Sequence, residues 1–193
     1  MSKSNFLKLS RTVITGAPGT GKTSVIKVLE ARGFYCFHEV IRDMTAKARQ
    51  EEPKKEHVSN PLVFVKDPYT FNKDLLNARL AHYKQVETLE KGPYFFDRGI
   101  HDVLAYMDFF NQEYGKEFEK TCQENTYDTV FILPPWEEIY ISDHERLETF
   151  EESEAIHDQL LSTYKRFGHT PINVPKTTVN ERVSFILEQL NAK

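Results

Sequence analysis

The segment Gly16-Ala17-Pro18-Gly19-Thr20-Gly21-Lys22-Thr23 constrains this chain more than any other stretch of it. It satisfies the pattern G-x-x-x-x-G-K-[ST], between a β-branched run, Thr12-Val13-Ile14-Thr15, and an amphipathic pattern that opens at Lys22. A strand that feeds a glycine-rich turn and then a helix can aim successive backbone N–H groups at one anion. The helix adds the positive end of its dipole. Gly16, Ala17, Pro18, Gly19, Thr20, Gly21, Lys22, Thr23 and Ser24 are therefore expected to cradle the phosphates of a nucleotide. In such a loop the lysine bridges the β- and γ-phosphates and the hydroxyl of Thr23 ligates Mg²⁺. ATP is the expected nucleotide, with GTP also possible.

Periodicity extends the pattern along the chain. Val25, Ile26, Val28 and Leu29 follow helical spacing up to Gly33, and Phe34 to Phe37 reads as a second strand. A helix is expected from Val40 to about Gln50. Asp67-Pro68 pairs an N-cap with a first-turn proline and opens a long helix to about Glu90. Tyr94-Phe95-Phe96 makes a third strand, residues 100 to 125 are helical, and Thr129 to Leu133 is a fourth strand closed by Pro134-Pro135. A helix over roughly 148–167, a short strand at Ile172-Asn173-Val174 and a last amphipathic helix from Val179 complete the chain. Strands and helices alternate throughout, which predicts a three-layer α/β/α sandwich on a parallel sheet. The 193 residues fit one domain, taken as 1–193, when about 150 residues per domain is the norm.

The loop needs a second oxygen ligand near the metal, and such a carboxylate comes from the end of a neighbouring strand. Asp97 ends the third strand and fits that place, with Arg98 directly after it. An ordinary strand-end salt bridge is the competing reading. Glu39, at the end of the second strand, is three residues from Arg42. It reads either as the group that orients or deprotonates an acceptor hydroxyl, or as an acid that complements a helix dipole. Glu39, Arg42 and Arg98 together would line the acceptor side.

Composition removes several alternatives. The net charge of −4 argues against a partner bound by bulk positive charge, so no nucleic acid is expected. Cys36 and Cys122 are too far apart for a CxxC metal pair, and two cysteines make no disulfide framework. The N-terminal stretch has no apolar core of a leader and no apolar run approaches the length of a membrane span, so a cytoplasmic protein without membrane insertion is expected. His38-Glu39 does not continue to H-E-x-x-H, because position 42 is Arg. Asn72-Lys73-Asp74 resembles a guanine-reading N-K-x-D but is one residue short and falls inside a helix. The basic residues Arg42, Lys47, Arg49, Lys54 and Lys55 could meet an acidic acceptor or lipid head group, but acids interleave them and a solvated face is the preferred reading.

The stretches ITGAPGTGKTSVIKVLEARGF, HEVIRD, GPYFFDRGIHDVLAYM and VFILPPWEEIYISDHERLETF, with the closing INVPK, resemble the small AAA-like P-loop ATPase/kinase family. That family is similar to the kinase domain of NadR-type nicotinamide-riboside kinases. The resemblance spans about Arg11 to Leu190 and implies a five-stranded sheet in the order 2-3-1-4-5. It also implies a lid at about 134–150, with Arg146 closing on the transferred phosphoryl group; a solvated charge is the alternative for Arg146. Asp102 matches a family position that either caps a helix or contacts the acceptor. The implied activity is phosphoryl transfer from Mg²⁺-ATP to an unidentified small-molecule acceptor. A regulatory nucleotide-binding module with slow hydrolysis and a protein partner is the rival reading.

Overall fold

The computed structural model describes residues 9–41, 44, 67–90, 92–140 and 149–191. Five strands, β1 (Ser10–Thr15), β2 (Tyr35–Phe37), β3 (Pro93–Asp97), β4 (Thr129–Ile132) and β5 (Ile172–Asn173), form one sheet in the order β2-β3-β1-β4-β5. Every pairing is parallel. The helices are α1 (Lys22–Ala31), α2 (Pro68–Gln85), α3 (His101–Phe109), α4 (Lys116–Glu124), α5 (Phe150–Arg166) and α6 (Val179–Asn191). The expected strand order and layer arrangement are both present.

A parallel sheet covered on both sides needs strands that are apolar on both faces. In β3, Tyr94 and Phe96 enter one core while Phe95 enters the other. Val13 and Ile14 of β1 divide in the same way, as do Val130 and Phe131 of β4. The two-residue period of a strand turns consecutive large side chains into separate layers. On one face α1 packs against α6; on the other, α3 packs against α5. The ring surplus of 14 Phe and 9 Tyr is spent here: Phe37 stacks on Phe96 with centroids 4.8 Å apart, and Phe34 meets Phe95 edge-on at 5.5 Å.

Local chemistry sets the boundaries. Asp67 caps α2 by accepting from the N–H groups of Tyr69 and Thr70, with Pro68 at the first helical position. The long helix gives way to a 3₁₀ turn at Val86–Thr88, ending earlier than expected. The helical stretch over 100–125 divides into α3 and α4, separated by Asn111 at a φ of 52°. Thr149 and Glu152 form a reciprocal capping box at the start of α5. Of the helix expected from Val40 to Gln50, Val40, Ile41 and Met44 are described and helical; the rest of it, and residues 141–148 of the expected lid, lie outside the described residues.

The α3–α5 contact contains a buried imidazole. His101 is fully buried, with ring centroids 5.1 Å from Tyr164, 5.2 Å from Phe167 and 4.8 Å from His169. Burial, aided by the neighbouring His169, drives its pKa down to about 3, against a smaller opposing pull from Asp102. The unfolded chain therefore binds a proton at this position below about pH 6.5 that the folded chain refuses until about pH 3. Stability is lost as pH falls through that window. At pH 5 the loss from this group is about 2 kcal/mol. Urea unfolding at pH 7.5 and pH 5 should show it, and His101→Phe should lose distinctly less on acidification. Equal losses in both proteins would place the acid sensitivity elsewhere.

Candidate active site

The loop between β1 and α1 has the conformation its sequence demands. Gly16 has a φ of 148°, and a Cβ placed there would come within 2.5 Å of the Leu133 carbonyl oxygen. No side chain fits, because the obstructing atom is backbone of the residue that follows β4. Within the loop the Thr20 hydroxyl donates to the Ala17 carbonyl at 2.9 Å, and Lys22 Nζ donates to the same carbonyl at 2.8 Å. Two helices brace it from outside. Ser153 of α5 donates to the Pro18 carbonyl at 3.3 Å, and Arg182 of α6 donates to the Thr20 carbonyl at 3.0 Å.

Lys22 is buried, and burial together with the Arg98 charge lowers its pKa to about 7. Asp97, Glu39 and Asp102 pull it upward without prevailing. The three acids and Arg98 thus act on the loop lysine from the β2–β3 side of the sheet. Asp97 is buried at the end of β3, in register with Ile14 on β1. The N–H of Arg98 bonds the Ile14 carbonyl at 3.1 Å, which ties the end of β3 to the strand that feeds the loop.

Beyond Asp97 lies a buried charge network. Arg98 Nε pairs with Glu39 Oε2 at 2.6 Å, and Arg98 Nη1 with Asp102 Oδ1 at 3.2 Å. Its backbone takes a φ of 73°, a left-handed conformation unfavourable for a residue with a side chain. Such strain persists where the surroundings over-determine the geometry, and here both ends of the guanidinium are held. The other Glu39 oxygen pairs with Arg79 Nη2 at 2.8 Å, and Arg79 Nη1 donates to the Gly99 carbonyl at 3.0 Å. Arg79 and Glu39 are both buried.

Asp102 is the anchor of this network rather than an open acceptor contact. It is 0% exposed and accepts from Thr15 Oγ1 at 2.5 Å, the Gly99 N–H at 2.9 Å, the Tyr164 hydroxyl at 2.6 Å and Arg98. Burial alone would raise its pKa. Arg98, Arg79 and the hydrogen bonds from Thr15 and Tyr164 outweigh burial and hold the carboxyl below its ordinary value. Of the two roles open to Asp102, helix capping and acceptor contact, these described contacts match the first.

The structure brings Lys22, Glu39, Asp97, Arg98 and Asp102 together around one sheet edge. Arg42 and Arg146 lie outside the described residues. Arg79, Arg182 and Tyr164 belong to the site's framework although none was singled out from the sequence, and Thr15 joins it from within the first quoted stretch. Asn72 lies on α2 and donates to Gln112 at 2.8 Å, so the apparent guanine-reading triplet is structural. Among the described residues no group of three or more His, Cys, Asp or Glu could hold a metal ion, and no helix is long and apolar enough to cross a membrane.

A family profile described as AAA domain matches residues 11–182, most of the chain. The chain belongs to that AAA-domain family. No curated protein sequence matches significantly. Solved structures share the fold at low identity. A deoxyadenosine kinase from M. mycoides, solved with the products dCMP and a flexible dCDP bound, is 19% identical with a TM-score of 0.64, covering 95% of this chain and 100% of that one. Thymidylate kinase from Candida albicans is 16% identical with a TM-score of 0.66 over 96% of this chain and 92% of its own. NadR in complex with NR is 16% identical with a TM-score of 0.65 over 93% of this chain and 49% of its own. The AAA-domain chain thus shares its fold with these kinases.

Proposed function

We propose that this protein is a kinase that transfers the γ-phosphoryl group of Mg²⁺-ATP to a small-molecule acceptor. The observation that carries the reading is the buried Glu39 carboxylate, fixed at the C-terminal end of β2 by Arg79 and Arg98 and acting electrostatically on Lys22. In open parallel sheets, ligands bind outside the carboxyl ends of the strands. A module that only retained nucleotide would have no use for a second set of buried charges on the β2–β3 side of the loop. The kinases that share the fold support the same conclusion.

The residues present fit a nucleotide and its magnesium ion. The loop supplies backbone N–H donors and Lys22, and a triphosphate would furnish the counter-charge that keeps the buried ammonium protonated. Asp97 and Thr23 offer the hard oxygen donors that Mg²⁺ prefers, and one or two such ligands plus phosphate oxygens complete its usual shell. When bound, the ion neutralises charge on the β- and γ-phosphates. The acceptor oxygen attacks phosphorus as the bond to the bridging oxygen of ADP breaks. Glu39 would receive the acceptor proton at Oε2, which keeps a lone pair beside its Arg98 bond, whereas Oε1 already accepts from Arg79 and from the Ile41 N–H. Arg98 holds Glu39 in place and adds positive charge near the transferring group. Arg146 would close over that group from the lid.

The test is ADP release from Mg²⁺-ATP with a panel of nucleosides, nicotinamide riboside and other hydroxylated metabolites. At least one acceptor should raise turnover well above the basal rate. Asp97→Asn should lower the stimulated rate by about 100-fold or more while nucleotide binding is largely kept. If no acceptor stimulates and ATP is retained tightly, the regulatory module is the correct reading.

A further inference from the structure

Arg182 differs from Arg79, the other buried arginine among the described residues. It is 4% exposed, yet it forms no ion pair with any carboxylate among the described residues. Its pKa is lowered by burial, and no acid among the described residues opposes the shift. Nη1 donates to the Thr20 carbonyl of the loop, and Nε is buried with no hydrogen-bond partner. The guanidinium lies 4.9 Å from the centroid of the Trp136 ring. A buried cation without a counter-charge is costly, so its retention calls for an explanation.

Position gives one. Trp136 follows β4 by four residues and Arg182 stands in the first turns of α6 after β5, so both lie on the side of the loop opposite Glu39 and Asp97. A Cβ on Gly21 would meet Arg182 Nη1 at 3.1 Å and Ile139 Cδ1 at 3.7 Å. Trp136, Ile139 and Arg182 therefore form a half-apolar, cationic shelf beside the residue that opens α1. With phosphates in the loop and the acceptor on the β2–β3 side, the nucleoside of the donor must leave the loop toward β4 and β5. Indole and guanidinium planes are the two side-chain surfaces on which a base stacks best.

We propose that Trp136 and Arg182 form the platform on which the base of the donor nucleotide stacks. The pair sets how strongly a nucleotide, as distinct from a bare polyphosphate, is held. Arg182 also links base to phosphates, because the same guanidinium that backs the indole holds the Thr20 carbonyl of the loop. This rests on the phosphate-loop reading above, but not on the identity or existence of an acceptor.

Trp136 is the single tryptophan of the chain, which makes the test direct. ATP should change its fluorescence, whereas inorganic tripolyphosphate should bind the loop and leave the emission nearly unaltered. Trp136→Leu should weaken ATP binding by on the order of 10-fold or more, measured by calorimetry, with tripolyphosphate affinity unchanged. Trp136→Phe should recover most of the loss, which controls for misfolding. Overturning results would be an ATP affinity within about twofold of wild type in Trp136→Leu, equal losses for ATP and tripolyphosphate, or the same emission change with both ligands. An ATP-specific emission change without acceptor-stimulated turnover would uphold the platform and overturn the kinase reading instead.

Discussion

Lys22→Ala should abolish the rise in melting temperature that ATP produces, while leaving the ligand-free protein about as stable as wild type. The two halves of this expectation come from different physics. Lys22 is buried, its ammonium donates to the Ala17 carbonyl at 2.8 Å, and burial with Arg98 lowers its pKa to about 7. Removing a cation that the fold accommodates reluctantly has little stabilisation to lose. Nucleotide binding, in the function proposed, has much to lose, since the lysine would be the loop's one charged donor to phosphate. At a ligand concentration 100 times Kd, binding stabilises the folded state by about 2.7 kcal/mol. For a chain of this size that corresponds to roughly 5–10 °C. Differential scanning fluorimetry with and without Mg²⁺-ATP reads both quantities. Any stimulated turnover should fall by about 100-fold or more. A variant that ATP still stabilises as it does wild type would remove Lys22, and with it the phosphate site, from the reading.

How much of this was legible in the sequence depends on how far each signal reaches along the chain. The loop was fully legible because its chemistry is contiguous: Gly16 to Thr23 carries its own glycines, lysine and hydroxyl. The layers were legible because β1, β3 and β4 alternate large residues between two faces, and that period is local. The strand order came through the family resemblance, and the sheet shows it. Glu39, Asp97 and Arg98 were visible as charges at the ends of apolar strands. Their partners were not. Arg79 is 40 residues from Glu39, Tyr164 is 62 from Asp102, and Arg182 is 162 from Thr20, so no spacing rule connects them. One signal was available for two of these. Arg79 shares the buried stripe of α2 with Phe71, Leu75 and Leu76, and Arg182 that of α6 with Val183, Ile186 and Leu187. A basic residue on the apolar stripe of a helix must be neutralised or used by something across the interface. Asp102 carried the opposite lesson. Its place in the motif left helix capping and acceptor contact both open, and its four donors, brought from β1, α5 and its own turn, match the first.

Asp102→Ala follows from that last point and should destabilise the fold by about 3–5 kcal/mol. The deletion would strand the Thr15 and Tyr164 hydroxyls and the Gly99 N–H in a fully buried site, each deprived of an acceptor. It would also free one end of Arg98, whose left-handed backbone at a φ of 73° the two ion pairs help to hold. Asp102→Asn retains an acceptor oxygen for some of these donors and loses the charge that balances Arg98, so a smaller loss is expected. Urea unfolding at neutral pH gives the ranking wild type, then Asn, then Ala. The argument extends to Glu39, because Arg98 connects the two carboxylates. With Asp102 gone, Arg98 is held by Glu39 alone, and any acceptor-stimulated rate should fall further than the folded fraction accounts for. An Ala variant within about 1 kcal/mol of wild type would mean that water replaces the lost acceptor. The Asp102 carboxylate would then not be what fixes the acceptor edge of this site.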